Sequence, residues 1–337
     1  MKSLIVKSLI VKSLITPLGI AFAASLAIPA SAQERGRTIL PEHSARLQAS
    51  ATHGAATTFH TTTVDGMKIF YREAGDPSKP TILLLHGFPA SSHMFRDLMP
   101  LLAGRFHLIA PDYPGFGYSD APAPEVFTPT FDSLATVMEH FVEAQKLSKF
   151  SLYMQDFGGP VGFRLAVRHP EWIKALIIQN ANAYDEGLAP AIREGNLRRA
   201  TMPSTEAEMS FELGPGLAHL LYQNGARKPN AMNPDAWTTD LWCMGQPGHR
   251  RIGAALINNY HTNMEQYAQW QDYLRKRQPR TLVVWGKGDP VFLPAGATAY
   301  KKDLKNVEVH LLDTSHFALE EDATTVADDI TAFLAKN

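Results

Sequence analysis

The sequence predicts an α/β protein: a mostly parallel sheet flanked by helices, with a helical insertion lying over one edge of the sheet. Three observations lead there. From Thr61 onward, short apolar runs rich in β-branched residues alternate with helical patterns, the mark of a sheet covered on both faces. Runs such as ILLL (from Ile82), LIIQ (from Leu176) and LVVW (from Leu282) are nearly continuous, as strands buried on both sides require. The alternation then breaks once, between Tyr184 and Arg280. With 45% hydrophobic and 19% charged residues over 337 positions, the chain can bury a large core and lacks the signature of disorder. Lys and Arg number 32 against 33 Asp and Glu, a net charge of −1, so no electrostatic excess points to nucleic acid. A single cysteine, Cys243, excludes an intrachain disulfide and a thiolate metal cluster.

In chain order, residues 1–32 read as a signal peptide. Lys2, Lys7 and Lys12 are the only charges before Glu34, an apolar stretch runs from Leu18 to Ile28, and Ala30-Ser31-Ala32 precedes the expected cut. A membrane span would need about 20 uninterrupted apolar residues, and Pro17, Gly19, Ser25 and Pro29 interrupt this run. The tandem KSLIV, KSLIV, KSLIT lengthens the charged segment and adds no new chemistry. The expected location is therefore periplasmic or secreted. Removing the leader leaves 305 residues with 29 basic and 33 acidic side chains, a net charge of −4. Residues 33–60, polar and rich in small side chains, are expected to form an N-terminal arm without chemistry. The first part of the core then spans 61–183, the helical cap 184–278, and the second part of the core 279–337.

Strands are expected at Met67 to Arg72, Thr81 to Leu85, His107 to Ala110, Phe150 to Gln155, Ala175 to Gln179, Thr281 to Trp285 and Val307 to Leu312. Helices fit Met94 to Ala103, Leu134 to Gln145, Gly159 to Arg168 and Thr324 to Ala335. The segment from Tyr184 to Arg280 has helical periodicity, no convincing strand and several aromatics, among them Tyr222, Trp237, Trp242, Tyr260, Tyr267, Trp270 and Tyr273. An insertion there lies over the carboxyl edge of the sheet, where open α/β folds bind ligands.

The chemistry centres on Ser151-Leu-Tyr-Met-Gln-Asp156-Phe-Gly-Gly159, a strand, a tight glycine turn and a helix start. It resembles the nucleophile elbow of the α/β-hydrolase fold, with Asp156 where Ser stands in G-x-S-x-G and Met154 in place of the first glycine. Gly288-Asp289 ends the apolar run LVVWGKG, and His316 follows LLDTS after the last strand. Nucleophile, acid and histidine thus occur in the α/β-hydrolase order. His86-Gly87-Phe88-Pro89 resembles the family's oxyanion loop, whose Phe-Pro peptide is often cis. From Thr61 to Ala335 the chain is similar to the branch of epoxide hydrolases and haloalkane dehalogenases, with its cap between strands 6 and 7. Taken singly, each piece has an ordinary alternative: an Asp before Gly-Gly is a common helix cap, a lone His usually packs, and Asp289-Pro290 could start a turn.

What the resemblance implies follows from the aspartate. A carboxylate attacking an acyl carbon would give an anhydride, so its sensible target is an sp³ carbon with a leaving group, yielding an alkyl ester. Asp156 is ionised near neutral pH and needs no base for that step. His316, oriented by Asp289, would then deprotonate a water that attacks the ester carbonyl. The backbone N–H groups of Phe88 and Phe157 would hold the oxyanion, their rings lining the pocket.

The leaving group separates the two branches. An epoxide calls for a hydrogen-bond donor, in this family usually a pair of cap tyrosines; a halide is cradled by indole N–H groups or an amide. Phe88 is the form usual in epoxide hydrolases, and Phe157 replaces a common Trp. Tyr260, in Asn-Asn-Tyr-His-Thr-Asn, resembles one of the two epoxide tyrosines, and Tyr222 is expected as its partner with Tyr184 as fallback. As packing, Tyr260, Met264, Tyr267 and Leu274 also read as a single helical stripe. Trp242 and Trp270 are the indole donors available to a dehalogenase. Asn180 stands where some dehalogenases keep the acid, and a neutral amide there leaves that role to Asp289. Epoxide hydrolysis to a diol is the leading expectation and haloalkane dehalogenation the alternative. A non-catalytic receptor is weighed against by the three retained groups, and an esterase by the absent serine. No cofactor or metal is expected, no P-loop or Rossmann fingerprint being present. The expected partners are a small apolar epoxide or alkyl halide and water, with no nucleic acid, no stable membrane insertion after processing, and a monomer or homodimer.

Overall fold

The computed structural model describes residues 56–336. The leader and most of the arm, residues 1–55, lie outside the described residues. Eight strands form one sheet in the order β1-β2-β4-β3-β5-β6-β7-β8. They are β1 (Thr58–Val64), β2 (Met67–Ala74), β3 (Thr81–Leu85), β4 (His107–Pro111), β5 (Phe150–Gln155), β6 (Ile173–Gln179), β7 (Arg280–Gly286) and β8 (Val307–Leu312). β1 and β2 form an antiparallel hairpin, β2 joins β4 antiparallel, and the remaining pairs are parallel.

One correction concerns β1. Its first three residues fall within the segment assigned to the arm, 33–60, and the strand was absent from the seven expected. The sequence TFHTTTV has few apolar residues and lies at the sheet edge with most side chains partly or fully exposed, so it lacks the apolar run that betrays an inner strand. With β1 counted, the insertion falls between β6 and β7.

The period of two along each inner strand divides the core. Leu83, Leu85, Leu176, Ile178, Val283 and Trp285 pack into one layer with α2 (Phe131–Ala144) and α3 (Gly158–Arg168). Their neighbours Ile82, Leu84, Ala175, Ile177, Leu282 and Val284 pack on the opposite face with α1 (Leu98–Leu102) and the C-terminal helix, Leu319–Ala335. The expected helix from Met94 to Ala103 is two pieces, a 3-10 turn Ser92–Phe95 capped by Ser91 and then α1. Pro100 explains the division: proline is tolerated only in a helix's first turn, so a helix containing it must start near Leu98. The C-terminal helix starts five residues earlier than expected, with a kink at Asp322.

Between β6 and β7 the chain forms α4 (Pro190–Arg199), α5 (Glu206–Glu212), α6 (Pro215–Gln223), α7 (Pro234–Met244), α8 (His249–Asn259) and α9 (His261–Arg277). Proline opens α4, α6 and α7, where its fixed φ suits the first helical position. Thr205 and Glu208 close a capping box on α5. Among the described residues no helix is long and apolar enough to cross a membrane.

Candidate active site

Asp156 follows β5 directly and has φ +48°, a left-handed conformation that aspartate accepts more readily than most residues. The turn stays tight because Gly158 has no side chain: a Cβ there would strike the Leu85 carbonyl. This lifts the Asp156 carboxylate off the sheet and aims it across to the loop after β3. There Phe88 N–H donates to Asp156 Oδ1 at 2.7 Å, and the Phe157 N–H acts on the same carboxylate. The Phe88-Pro89 peptide is cis.

Two further loops bring the other groups. His316 Nε2 lies 3.8 Å from Asp156 Oδ2, and His316 Nδ1 lies 2.7 Å from Asp289 Oδ2. Asp289 is held on every side. Its Oδ1 accepts from the N–H groups of Val291 at 2.8 Å and Phe292 at 3.0 Å. Its Oδ2 also accepts from Asn180 Nδ2 at 2.7 Å, while Asn180 Oδ1 takes the Gly286 N–H at 2.9 Å. Asn180, the amide at the end of β6, therefore ties the Asp289 carboxylate to the sheet.

Burial is the largest influence on both titrating partners. It pushes the Asp156 carboxyl up, against His316 and the two N–H donors that favour its charged form. Burial alone would push the His316 imidazole down, but the charge and hydrogen bond of Asp289 and the charge of Asp156 carry it above the ordinary histidine value. In the neutral ring, Nδ1–H is committed to Asp289, so Nε2 carries a lone pair, which meets the Gln155 side-chain nitrogen at 2.9 Å. Such a base, oriented by one carboxylate and facing a second, is the arrangement that activates a water for attack beside Asp156.

The family model described as alpha/beta hydrolase fold matches residues 80–323, a span that contains β3 to β8, the elbow and all three side chains. The chain belongs to the alpha/beta hydrolase fold family. An uncharacterized hydrolase of Saccharomyces cerevisiae is 40% identical over 278 residues, covering 81% of this chain and 95% of that protein. A haloalkane dehalogenase of Bradyrhizobium diazoefficiens is 37% identical over 111 residues, 33% of this chain and 35% of its own length. Among solved structures, the haloalkane dehalogenase DbeA of Bradyrhizobium elkani superposes with a TM-score of 0.70 at 21% identity, over 83% of this chain and 98% of that one. A putative lipase of Acinetobacter baumannii is nearly as close in shape, with a TM-score of 0.69 at 19% identity. Likeness at that identity establishes the fold.

In this hydrolase a cavity of about 100 Å³ opens above Asp156, between core and cap. Phe88, Phe157, Ile192, Leu217, Leu221, Ile257, Val291 and Phe292 make its wall mainly apolar, and Asp156, Asn196, Glu212 and Tyr260 supply the polar groups. Tyr260 stands at the junction of α8 and α9, its ring 6.0 Å from that of Phe157. Tyr267 acts on the Tyr260 hydroxyl, and the Tyr267 oxygen accepts from Asn182 Nδ2 at 3.0 Å. Burial raises the Tyr260 hydroxyl well above the ordinary phenol value, so it stays protonated.

The expected partner of Tyr260 needs correction. Tyr222 does not border this cavity. Its hydroxyl donates to Asp240 Oδ2 at 2.6 Å, and its ring stacks 4.1 Å from Phe317 in the opposite core layer. Tyr184, the fallback, donates to Asp303 Oδ2 at 2.8 Å. Neither indole reaches the cavity wall: Trp242 is 55% exposed on the surface, and Trp270 is buried against Phe163. The sequence reading missed Gln155, Asn196 and Glu212. Gln155 was visible as the residue beside the nucleophile; the other two lie in cap helices whose placement no local pattern encodes. Cys243 is buried, its thiol pushed up to about 12 by burial, and has no reactive character.

Proposed function

We propose that this hydrolase opens epoxides to vicinal diols through an alkyl ester on Asp156. One observation carries the choice of substrate: Tyr260 presents a protonated phenol to the cavity that holds Asp156, while Trp242 and Trp270 lie outside its wall. In the first half-reaction an Asp156 oxygen attacks an sp³ carbon of the three-membered ring, the carbon–oxygen bond breaks, and the leaving oxygen takes a proton from the Tyr260 side. In the second half, His316 Nε2 removes a proton from water, and the hydroxide attacks the ester carbonyl. The oxyanion is held by the Phe88 and Phe157 N–H groups; its collapse breaks the acyl–oxygen bond, the departing diol oxygen takes the proton from the His316 imidazolium, and the new carboxyl group gives its proton back to the Tyr260 phenolate, which restores the carboxylate. Loss of one such donor typically costs about 3 to 4 kcal/mol.

Haloalkane dehalogenation is the second reading, supported by the names of the relatives that share about a third of the chain and by the Asn196 amide in the cavity wall. A side-by-side assay of styrene-type epoxides and short bromoalkanes separates the two. Turnover of epoxides with little bromide release supports the first; the reverse overturns it. Tyr260→Phe is expected to slow epoxide opening about a hundredfold, the scale of losing one charge-stabilising donor, and to leave halide displacement almost untouched. Equal effects on both would remove Tyr260 from the leaving-group role. Signal-peptide export remains part of the proposal, and N-terminal sequencing of the protein recovered outside the cytoplasm would test the cut after Ala32.

The histidine sets the acid side of the pH profile. Ester hydrolysis needs neutral His316, whose folded value lies above the ordinary one, so turnover falls as pH drops through that raised value. Alkylation of Asp156 removes one of the charges holding the imidazole up. The acid limb measured for ester breakdown in single turnover is therefore expected at lower pH than the histidine titration of the free enzyme, followed by NMR. Coincidence of the two would show that Asp156 does not act on His316.

A further inference from the structure

The cavity wall holds a second carboxylate to which the proposed mechanism gives no task. Glu212 ends α5, on the cap side, opposite in origin to Asp156 on the sheet. The Arg199 guanidinium, itself only slightly exposed, donates through Nη2 to Glu212 Oε1. Through its other nitrogens Arg199 donates to Asn196 Oδ1 at 3.0 Å and to Ser204 Oγ at 2.8 Å. Arg199 thereby fixes Glu212 and Asn196, both cavity-lining residues, in one rigid unit. Among the described residues, no group makes a hydrogen bond of ordinary geometry to the second, buried carboxylate oxygen, Oε2, and the Ser204 hydroxyl is the neutral group that acts on the carboxylate. An unpaired buried acceptor is costly to the fold and is expected where a bound molecule supplies the missing donor. The side chains acting most on Glu212 are Arg199, Glu208 and Arg198, all of the cap, whereas those acting on Asp156 are His316 and Asp289. The two carboxylates thus belong to separate electrostatic neighbourhoods at the two walls of one apolar cavity.

We propose that Glu212 is a specificity-determining residue that accepts a hydrogen bond from the substrate, so that the favoured epoxides carry a hydroxyl or N–H donor at the end remote from the attacked carbon. This rests on the epoxide reading of the same site. A wall built to pair a donor rejects the analogue lacking it, because the buried acceptor is then left alone. Arg199 neutralises the pair overall and keeps Glu212 from repelling the anionic nucleophile, and Asn196 offers an adjacent amide.

The test pairs two epoxides of matching shape, 2,3-epoxy-1-propanol with a terminal hydroxyl and 1,2-epoxybutane with a methyl group there. Wild-type kcat/KM is expected to favour the hydroxyl compound at least tenfold. In Glu212→Leu, and in the double variant Arg199→Met with Glu212→Leu that leaves no charge unpaired, the ratio should fall to about one. Thermal melts of both variants confirm folding, and the double variant stands in if the single one is unstable. A binding arm separates this proposal from the catalytic one. Asp156→Asn leaves both epoxides unreacted, and calorimetry should show the hydroxyl compound binding at least fivefold more tightly, a preference lost when Glu212→Leu is added. If wild type turns over neither epoxide while the binding preference appears and depends on Glu212, the epoxide chemistry fails and the role of Glu212 stands. Equal binding of the two compounds, or a preference that survives Glu212→Leu, overturns the proposal.

Discussion

His316→Gln is expected to stop the reaction halfway and leave the substrate covalently attached to Asp156. The first half-reaction needs only the carboxylate and a donor for the leaving group, and neither comes from the imidazole. Hydrolysis of the ester needs a base, and the only ring nitrogen free of Asp289 is Nε2, 3.8 Å from Asp156 Oδ2. Glutamine offers no comparable base. General-base loss typically costs 10²- to 10⁴-fold, so the ester should accumulate to one per chain within the time of a few wild-type turnovers. Intact-mass spectrometry also identifies the leaving group. An epoxide adds its full mass, because the ring oxygen stays on the adduct as a hydroxyl. A bromoalkane adds its mass less that of HBr. Peptide mapping should place either addition on Asp156. No adduct from any epoxide or bromoalkane, with wild type active on the same compound, would sink the alkyl-ester mechanism.

The same three residues show how much of the molecule could be read before any coordinates. Inner strands announce themselves because burial on both faces demands unbroken apolar runs, as in Leu282 to Trp285. β1 does not, because an edge strand with most side chains exposed or half-buried pairs through its backbone and a few cross-strand contacts such as His60 on Tyr71, and so needs no unbroken apolar run. The elbow, the acid and the histidine are legible because each sits in a short local motif tied to a strand end. Tyr260 was legible through its flanking asparagines. Its supposed partner was not, since Tyr222 and Glu212 lie on neighbouring cap helices, and only the packing of those helices sends one to Asp240 and the other to the cavity. Asn180 was read as a neutral amide that leaves the acid role to Asp289; the structure adds that this amide donates to the Asp289 carboxylate.

Asp156→Asn should abolish turnover while leaving the fold at least as stable. A neutral amide is no nucleophile toward an sp³ carbon, so activity is expected to fall below detection, at least 10⁴-fold. Stability moves the other way for two reasons. Asparagine accepts the left-handed conformation at φ +48° as readily as aspartate does, and its oxygen can still accept the Phe88 N–H. Burial also raises the folded-state value of the Asp156 carboxyl above the unfolded one, so the native state binds a proton more tightly than the unfolded chain. Stability contributed by this group therefore falls as pH rises from the ordinary carboxylate range through the raised value. Above that value wild type holds a buried charge that the variant lacks. The expected result is a Tm for Asp156→Asn equal to or a few degrees above wild type at pH 7, with the difference shrinking as pH falls toward the ordinary carboxylate range. Such an exchange of stability for a reactive group is common at active sites. A variant markedly less stable than wild type at pH 7 would mean that the carboxylate holds the loops together through its contacts with Phe88 and His316, and a structural role would then have to explain the loss of turnover. Turnover retained by a folded Asp156→Asn protein would remove Asp156 from the nucleophile role altogether.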